Sequence, residues 1–212
     1  MRSILRTDVG RVRKTNEDAA FVGGSLAIVC DGMGGHQAGD VAANLAVDLL
    51  SASLLKQAPS VRALLASVAK ANEQIYHRAA LDKRLSGMGT TLTALWAADD
   101  QVILAQVGDS RAYLLRGGTL RQCTHDHSMV AELVRMGSIT EEEARVRPHR
   151  NLVTRSLGTE PRVDIDIFEI GRRKGDRWLL CSDGLSGHVS DQEMADLLSA
   201  ASLHEAADAL LS

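Results

Sequence analysis

The sequence predicts a mixed α+β fold built as one domain, and three observations carry that reading. Two long helical patterns stand in succession between residues 36 and 79, with apolar positions three and four apart. From Gly87 the period shortens to two, and β-rich runs joined by short turns take over. One of those runs, residues 101–107, is apolar on both faces, so its sheet must be covered on each side, by another sheet or by helices. A chain of 212 residues that is 45% hydrophobic can bury a full core around such a sheet.

At the start of the chain, residues 3–9 predict a strand that ends at Gly10. The stretch Arg11-Val12-Arg13-Lys14-Thr15-Asn16-Glu17-Asp18 then sets cations ahead of two anions. As a solvated loop it needs only local ion pairs. As a site, Arg13 offers a guanidinium fork to a phosphate, while Glu17 and Asp18 serve a cation directly or through water. The apolar run 26–30 next delivers Asp31 into the turn Asp31-Gly32-Met33-Gly34-Gly35-His36. Small residues beside the acid let the Asp31 carboxylate and the Gly32 carbonyl approach one point, which suits a hard cation, although an ordinary turn uses the same residue types.

Residues 36–56 carry Val41, Ala42, Leu45, Leu49 and Leu50 at helical spacing, and residues 61–79 do the same through Val61, Leu64, Val68, Ala71 and Ile75. Both helices read as scaffold. Residues 89–96 and 101–107 form a hairpin about Asp99-Asp100, and the second run ends in Gly108-Asp109-Ser110-Arg111. Another hairpin turns at Gly117-Gly118. Residues 124–158 differ in texture and look like an insertion over one edge of the core. They hold a short helix to Met136 and a second one opened by a Thr140/Glu143 capping box. His125 and His127 flank Asp126, but an extended backbone would point them apart, and nothing nearby completes a metal shell. Residues 163–170 alternate as a half-exposed strand does, and residues 177–181 form a buried one that ends in Ser182-Asp183-Gly184. Asp191 is the expected cap of a helix to Leu198, and one more helix begins at Leu203.

A net charge of -3 supplies no basic field for nucleic acid and no polybasic patch for membranes. No apolar run approaches transmembrane length and no secretory core follows Met1-Arg2, so a soluble cytoplasmic protein is expected. Cys30, Cys123 and Cys181 are too few and too far apart for a disulfide framework or a zinc motif, and read as buried apolar residues. No cysteine has an arginine six residues on, and the G-x-S-x-G, G-x-x-x-x-G-K-[ST] and G-x-G-x-x-G patterns are absent. What remains is Glu17, Asp18, Asp31, Asp109 and Asp183, most of them in or beside turns and none with a compensating lysine. Their mutual repulsion calls for cations among them, and oxygen-only ligation points to Mg²⁺ or Mn²⁺.

The ordered set Arg13-x-x-Asn16-Glu17-Asp18, Asp31-Gly32-Met33-Gly34-Gly35-His36, Gly87-Met88-Gly89-Thr90-Thr91, Gly108-Asp109-Ser110-Arg111, Asn151-Leu152-Val153-Thr154-Arg155-Ser156-Leu157-Gly158 and Ser182-Asp183-Gly184 resembles the metal-dependent, type 2C serine/threonine protein phosphatases in their bacterial form. Each motif alone is weak; the order is specific. The resemblance implies two antiparallel sheets packed face to face with helices outside each, in α-β-β-α layers, as one catalytic domain over residues 1–212 with a flap subdomain at about 128–151. It implies two, or three, Mn²⁺ or Mg²⁺ ions, with Asp31 bridging and Gly32 ligating through its carbonyl. Glu17 and Asp18 would hold metals or their waters, Asp183 the second metal and Asp109 a more weakly held third. Arg13 would bind the substrate phosphate, and His36 is the candidate proton donor to the leaving oxygen.

The implied reaction is hydrolysis of phosphoserine and phosphothreonine by direct attack of a water held between two metals. Phosphorylated proteins, and a cognate serine/threonine kinase that the enzyme opposes, are the implied partners, with the chain a monomer. The family pattern closes on a Gly-Gly-x-Asp-Asn segment that these 212 residues do not contain. A clipped chain is expected, with one further acid beyond it. A naturally short chain would instead be a weak or silent binding or sensor domain on the same fold.

Overall fold

The apolar runs pair into two antiparallel sheets in a computed structural model, which describes residues 1–11, 13–34, 38–148, 152–200 and 202–212. Strands β1 (Asp18–Gly23), β2 (Leu26–Met33), β4 (Leu92–Ala97), β5 (Gln101–Val107) and β8 (Asp166–Gly171) lie side by side in that order, and the short β3 (Gly89–Thr90) pairs with the end of β2. The second sheet runs β7 (Thr119–Gln122), β6 (Arg111–Arg116), β9 (Arg177–Cys181). β4 is buried along its whole length and β5 nearly so, as the two-sided apolar pattern requires.

Helices α1 (Ala38–Leu54) and α2 (Val61–Leu81) cover the outer face of the six-stranded sheet. Ala38, Ala42, Ala43 and Ala46 of α1 are fully buried, and such small side chains let the helix settle close to β2. Leu50, Leu64, Val68 and Ile75 meet Leu26, Ile28, Leu92, Trp96 and Ile103 there. Each fully buried aliphatic side chain of this kind contributes about 1.5–3 kcal/mol. Between the sheets, Leu95, Ala97, Val102 and Leu104 face Ala112, Leu114, Trp178 and Leu180. On the far side of the second sheet, Tyr113, Leu115 and Cys181 pack on Met194 and Leu198 of α6 (Asp191–Leu198) and Leu210 of α7 (Leu203–Leu210). The α-β-β-α layering expected from the resemblance is therefore present.

Residues between β7 and β8 carry α3 (Met129–Arg135) and α4 (Glu141–Val146), and α4 has the expected Thr140/Glu143 capping box. Their return is stapled to the core: Thr90 and Leu157 exchange backbone hydrogen bonds, and Asn72 of α2 accepts from the Gly158 N–H and donates to the Glu160 carbonyl.

Two local expectations are corrected. Residues 3–9 form no strand, because a strand needs a partner ladder and none is made there. The cap of α6 is Ser190 rather than Asp191, since Ser190 and Glu193 close a reciprocal capping box. All three cysteines are buried and free, and no helix among the described residues is long and apolar enough to cross a membrane.

Candidate active site

The register of β1 on β2 sets Asp18 directly opposite Asp31 at the end of the six-stranded sheet. The Asp31 main chain is fixed by two threonines: its N–H donates to Thr91 Oγ1 (2.8 Å), and its carbonyl accepts from the Thr91 N–H (2.8 Å) and Thr90 Oγ1 (3.0 Å). The Gly32 N–H donates to the Glu17 carbonyl at 3.1 Å. A Cβ at Gly32 would lie 2.1 Å from the Gly39 carbonyl oxygen and 2.7 Å from that of Glu17, so only glycine fits where β2 enters the first turn of α1.

The third acidic strand end arrives from far along the chain. Ser182 donates to Asp18 Oδ2 at 2.7 Å, which draws Asp183, at the start of the short helix α5 (Asp183–Ser186), to the same place. Asp109 follows β5, on a turn whose Gly108 has φ +97° and lies so close to Thr91 that a Cβ would meet its Cγ2 at 2.6 Å. Thr91 Oγ1 also bonds Ser110 Oγ at 2.7 Å, so one buried threonine braces both the Asp31 and the Asp109 strand ends.

Arg13, Asp18, Asp31, Asp109 and Asp183 line one open cavity. Burial, then the charges of Asp18 and Asp183, push the Asp31 carboxyl up to about 8. Burial and the charge of Asp183 take Asp109 up to about 7. Asp18 is raised as well, by burial, with Ser182 and Arg13 pulling the other way. No ion pair among the described residues includes any of these four acids. A set of hard oxygen donors held together against its own repulsion fits divalent cations in its chemistry. Among the described residues no three His, Cys, Asp or Glu side chains already enclose a metal position. The fit therefore lies in the donor types and not in a finished cage.

Of the residues singled out in the sequence, Asp18, Asp31, Asp109, Asp183 and Arg13 come together. Glu17 does not line the cavity, and its main-chain carbonyl accepts from the Gly32 N–H. The Gly32 carbonyl lies against Gly39, where a Cβ would stand 2.9 Å away. His36 lies outside the described residues. Sequence reasoning gave no role to Thr90, Thr91 or Ser182. Ser182 had a visible signal, an N-cap residue directly before an acid, whereas the threonines act through tertiary contacts alone. His127 is 1% exposed and bonded to protein partners, while His125 stands edge-on to Phe168.

Comparison with known proteins agrees with this architecture. The family model described as protein phosphatase 2C matches residues 11–210. The serine/threonine phosphatase stp of Listeria welshimeri is 45% identical over 223 residues, a match that covers 100% of this chain and 88% of that protein. The crystal structure of the Mycobacterium tuberculosis serine/threonine phosphatase PstP/Ppp superposes with a TM-score of 0.92 at 42% identity, over 97% of this chain and 88% of the other. A structure of the PstP catalytic domain in complex with two manganese ions gives a TM-score of 0.86 at 41% identity, over 97% and 87% of the two chains.

Proposed function

The chain belongs to the protein phosphatase 2C family, and from that premise we propose that it is a metal-dependent hydrolase of phosphoserine and phosphothreonine in proteins. The observation that carries the proposal is the half-buried acid cluster around Asp31, raised in pKa by burial and then by its own acidic neighbours, and open to a cavity that Arg13 also lines. Asp31, Asp18 and Asp183, with the Gly32 carbonyl, are the groups that would hold two Mn²⁺ or Mg²⁺ ions; Glu17, outside the cavity lining, would serve them only through water, and Asp109 would hold a third. The PstP relative that carries two manganese ions supports this metal choice. Bound cations would neutralise the carboxylates and acidify a water enough for it to attack phosphorus at neutral pH.

The chain's own side chains do the rest. Arg13 is exposed at the cavity rim and presents its fork to the phosphoryl oxygens, a bidentate geometry that lysine cannot copy. Ser182 holds the Asp18 carboxylate in place, and the Thr90-Thr91 pair does the same for the Asp31 backbone. His36 is the proposed proton donor to the leaving serine or threonine oxygen. The segment at about residues 128–151, of which 149–151 lie outside the described residues, would be a flap beside the site that meets the protein substrate. The enzyme would act as a cytoplasmic monomer that opposes a serine/threonine kinase.

The test is phosphate release from a phosphothreonine peptide with Mn²⁺, with Mg²⁺ and with chelator, beside Asp31→Asn. Metal-dependent turnover that Asp31→Asn abolishes is the expected result. Equal turnover in the folded variant would sink the assignment.

A further inference from the structure

Among the described residues one histidine is buried that the proposed chemistry does not use. His127 Nδ1 accepts from the Gly108 N–H at 3.1 Å, and the His127 N–H donates back to the Gly108 carbonyl at 2.9 Å. Gln106 Nε2 donates to the same carbonyl at 3.0 Å. On its other edge, His127 Nε2 stands 3.2 Å from Asp166 Oδ2 and 3.4 Å from Arg155 Nη1, and Arg155 donates to Asp166 Oδ1 at 2.9 Å. The His127 carbonyl accepts from the Thr154 N–H at 2.8 Å, so both ends of the segment between β7 and β8 close on this residue.

An imidazole can accept at Nδ1 only when its single ring proton is on Nε2. The Asp166 carboxylate lies nearer to Nε2 than Arg155 does and selects that tautomer, while Arg155, whose shorter bond goes to Asp166, holds the carboxylate in line. Burial, helped by the charge of Arg155, keeps the ring neutral by lowering its pKa, against the opposing pull of Asp166. Gly108 is the residue before Asp109, and its left-handed backbone is wedged on Thr91. Losing the one acceptor of its N–H would free the turn that aims Asp109.

We propose that His127 and Asp166 are positioning residues for the Asp109 carboxylate, with Asp166 choosing the His127 tautomer that locks the Gly108-Asp109 turn. The inference rests on the phosphatase reading and adds residues that touch neither substrate nor metal. Groups that orient metal ligands in this way typically alter metal affinity by about 10–100-fold when replaced.

The experiment is calorimetric titration of the substrate-free chain with Mn²⁺, together with long-range ¹H–¹⁵N spectra of the histidine rings. In Asp166→Asn the amide can donate to Nε2, which drives the ring proton to Nδ1 and sets a donor against the Gly108 N–H. That variant is expected to weaken the most loosely held Mn²⁺ by roughly 10-fold or more. His127→Asn places an amide oxygen where Nδ1 was and needs no tautomer selection, so it should keep the wild-type isotherm, and the double variant should match it. The wild-type spectrum should show Nε2–H on His127, a readout that survives even where a variant fails to fold.

A wild-type isotherm for folded Asp166→Asn, or an Nδ1–H ring in the wild type, overturns the inference and leaves the phosphatase reading intact. A folded wild-type chain that neither binds Mn²⁺ nor releases phosphate overturns that reading instead, and with it the role given to Asp109.

Discussion

Removing the Asp31 charge should stabilise the metal-free protein while destroying its function. Folded Asp31 titrates near 8 where an ordinary aspartate has 3.8, through burial first and then Asp18 and Asp183. Because the folded value is the higher, the folded chain holds a proton that the unfolded chain has released between those pH values. Its contribution to stability is present in full below 3.8 and is lost progressively as pH rises towards 8. At about 1.4 kcal/mol per pH unit, the ionised form opposes folding by about 6 kcal/mol above both values. Asp31 keeps some contact with solvent and shares its field with Asp18. Roughly half of that figure, about 3 kcal/mol, is therefore the expected gain for Asp31→Asn at pH 8.

The assay is thermal unfolding in chelator from pH 4.5 to 8.5, by about half a unit per step. Asp31→Asn should melt roughly 6–12 °C above the wild type at pH 8, with the two curves converging towards pH 4. Excess Mn²⁺ should invert the order, because an ion at about 1,000 times its dissociation constant stabilises only the chain that can hold it, by about 4.1 kcal/mol, which exceeds the advantage of about 3 kcal/mol that Asp31→Asn has in chelator. An Asp31→Asn protein no more stable than wild type at pH 8 in chelator would refute the claim that these acids repel one another across the site.

Other perturbations read separate parts of the structure. Gly32→Ala forces a Cβ to within 2.1 Å of the Gly39 carbonyl oxygen, a backbone atom that cannot swing aside; a loss of about 3 kcal/mol or more is expected by denaturant titration, and a change below about 0.5 kcal/mol would contradict the close approach. Asn72→Ala orphans the buried Gly158 N–H and should cost about 2–3 kcal/mol in the same assay, which equal midpoints would exclude. Ser182→Ala takes away a hydrogen bond to a carboxylate and should raise the Asp18 pKa further, weakening Mn²⁺ binding most at low pH; an unchanged isotherm across pH would count against it. Arg13→Ala should raise KM for a phosphopeptide more than it lowers kcat, and an unaltered KM would remove Arg13 from phosphate recognition.

The sequence by itself determined most of the elements, the strand at residues 3–9 excepted, and marked Asp18, Asp31, Asp109 and Asp183, the four acids that the fold gathers. Helix periodicity placed α1 and α2 near their observed bounds, and the Thr140-to-Glu143 spacing set the start of α4, because these signals are local and depend on backbone period and capping chemistry. The apolar two-sidedness of residues 101–107 correctly required a covered sheet. The acidic-glycine strand ends marked Asp31, Asp109 and Asp183 without any knowledge of how they meet.

Only the tertiary structure decided the meeting. Ser182 reaches Asp18 across 164 positions, Thr91 braces Asp31 across 60, and His127 Nε2 meets Asp166 across 39. No periodicity records such pairs, since each depends on strand register and on which strand ends share one end of the sandwich. The same limit misplaced residues 3–9 as a strand: a local stretch can suit a strand, but a strand exists only when a neighbour completes its hydrogen bonds.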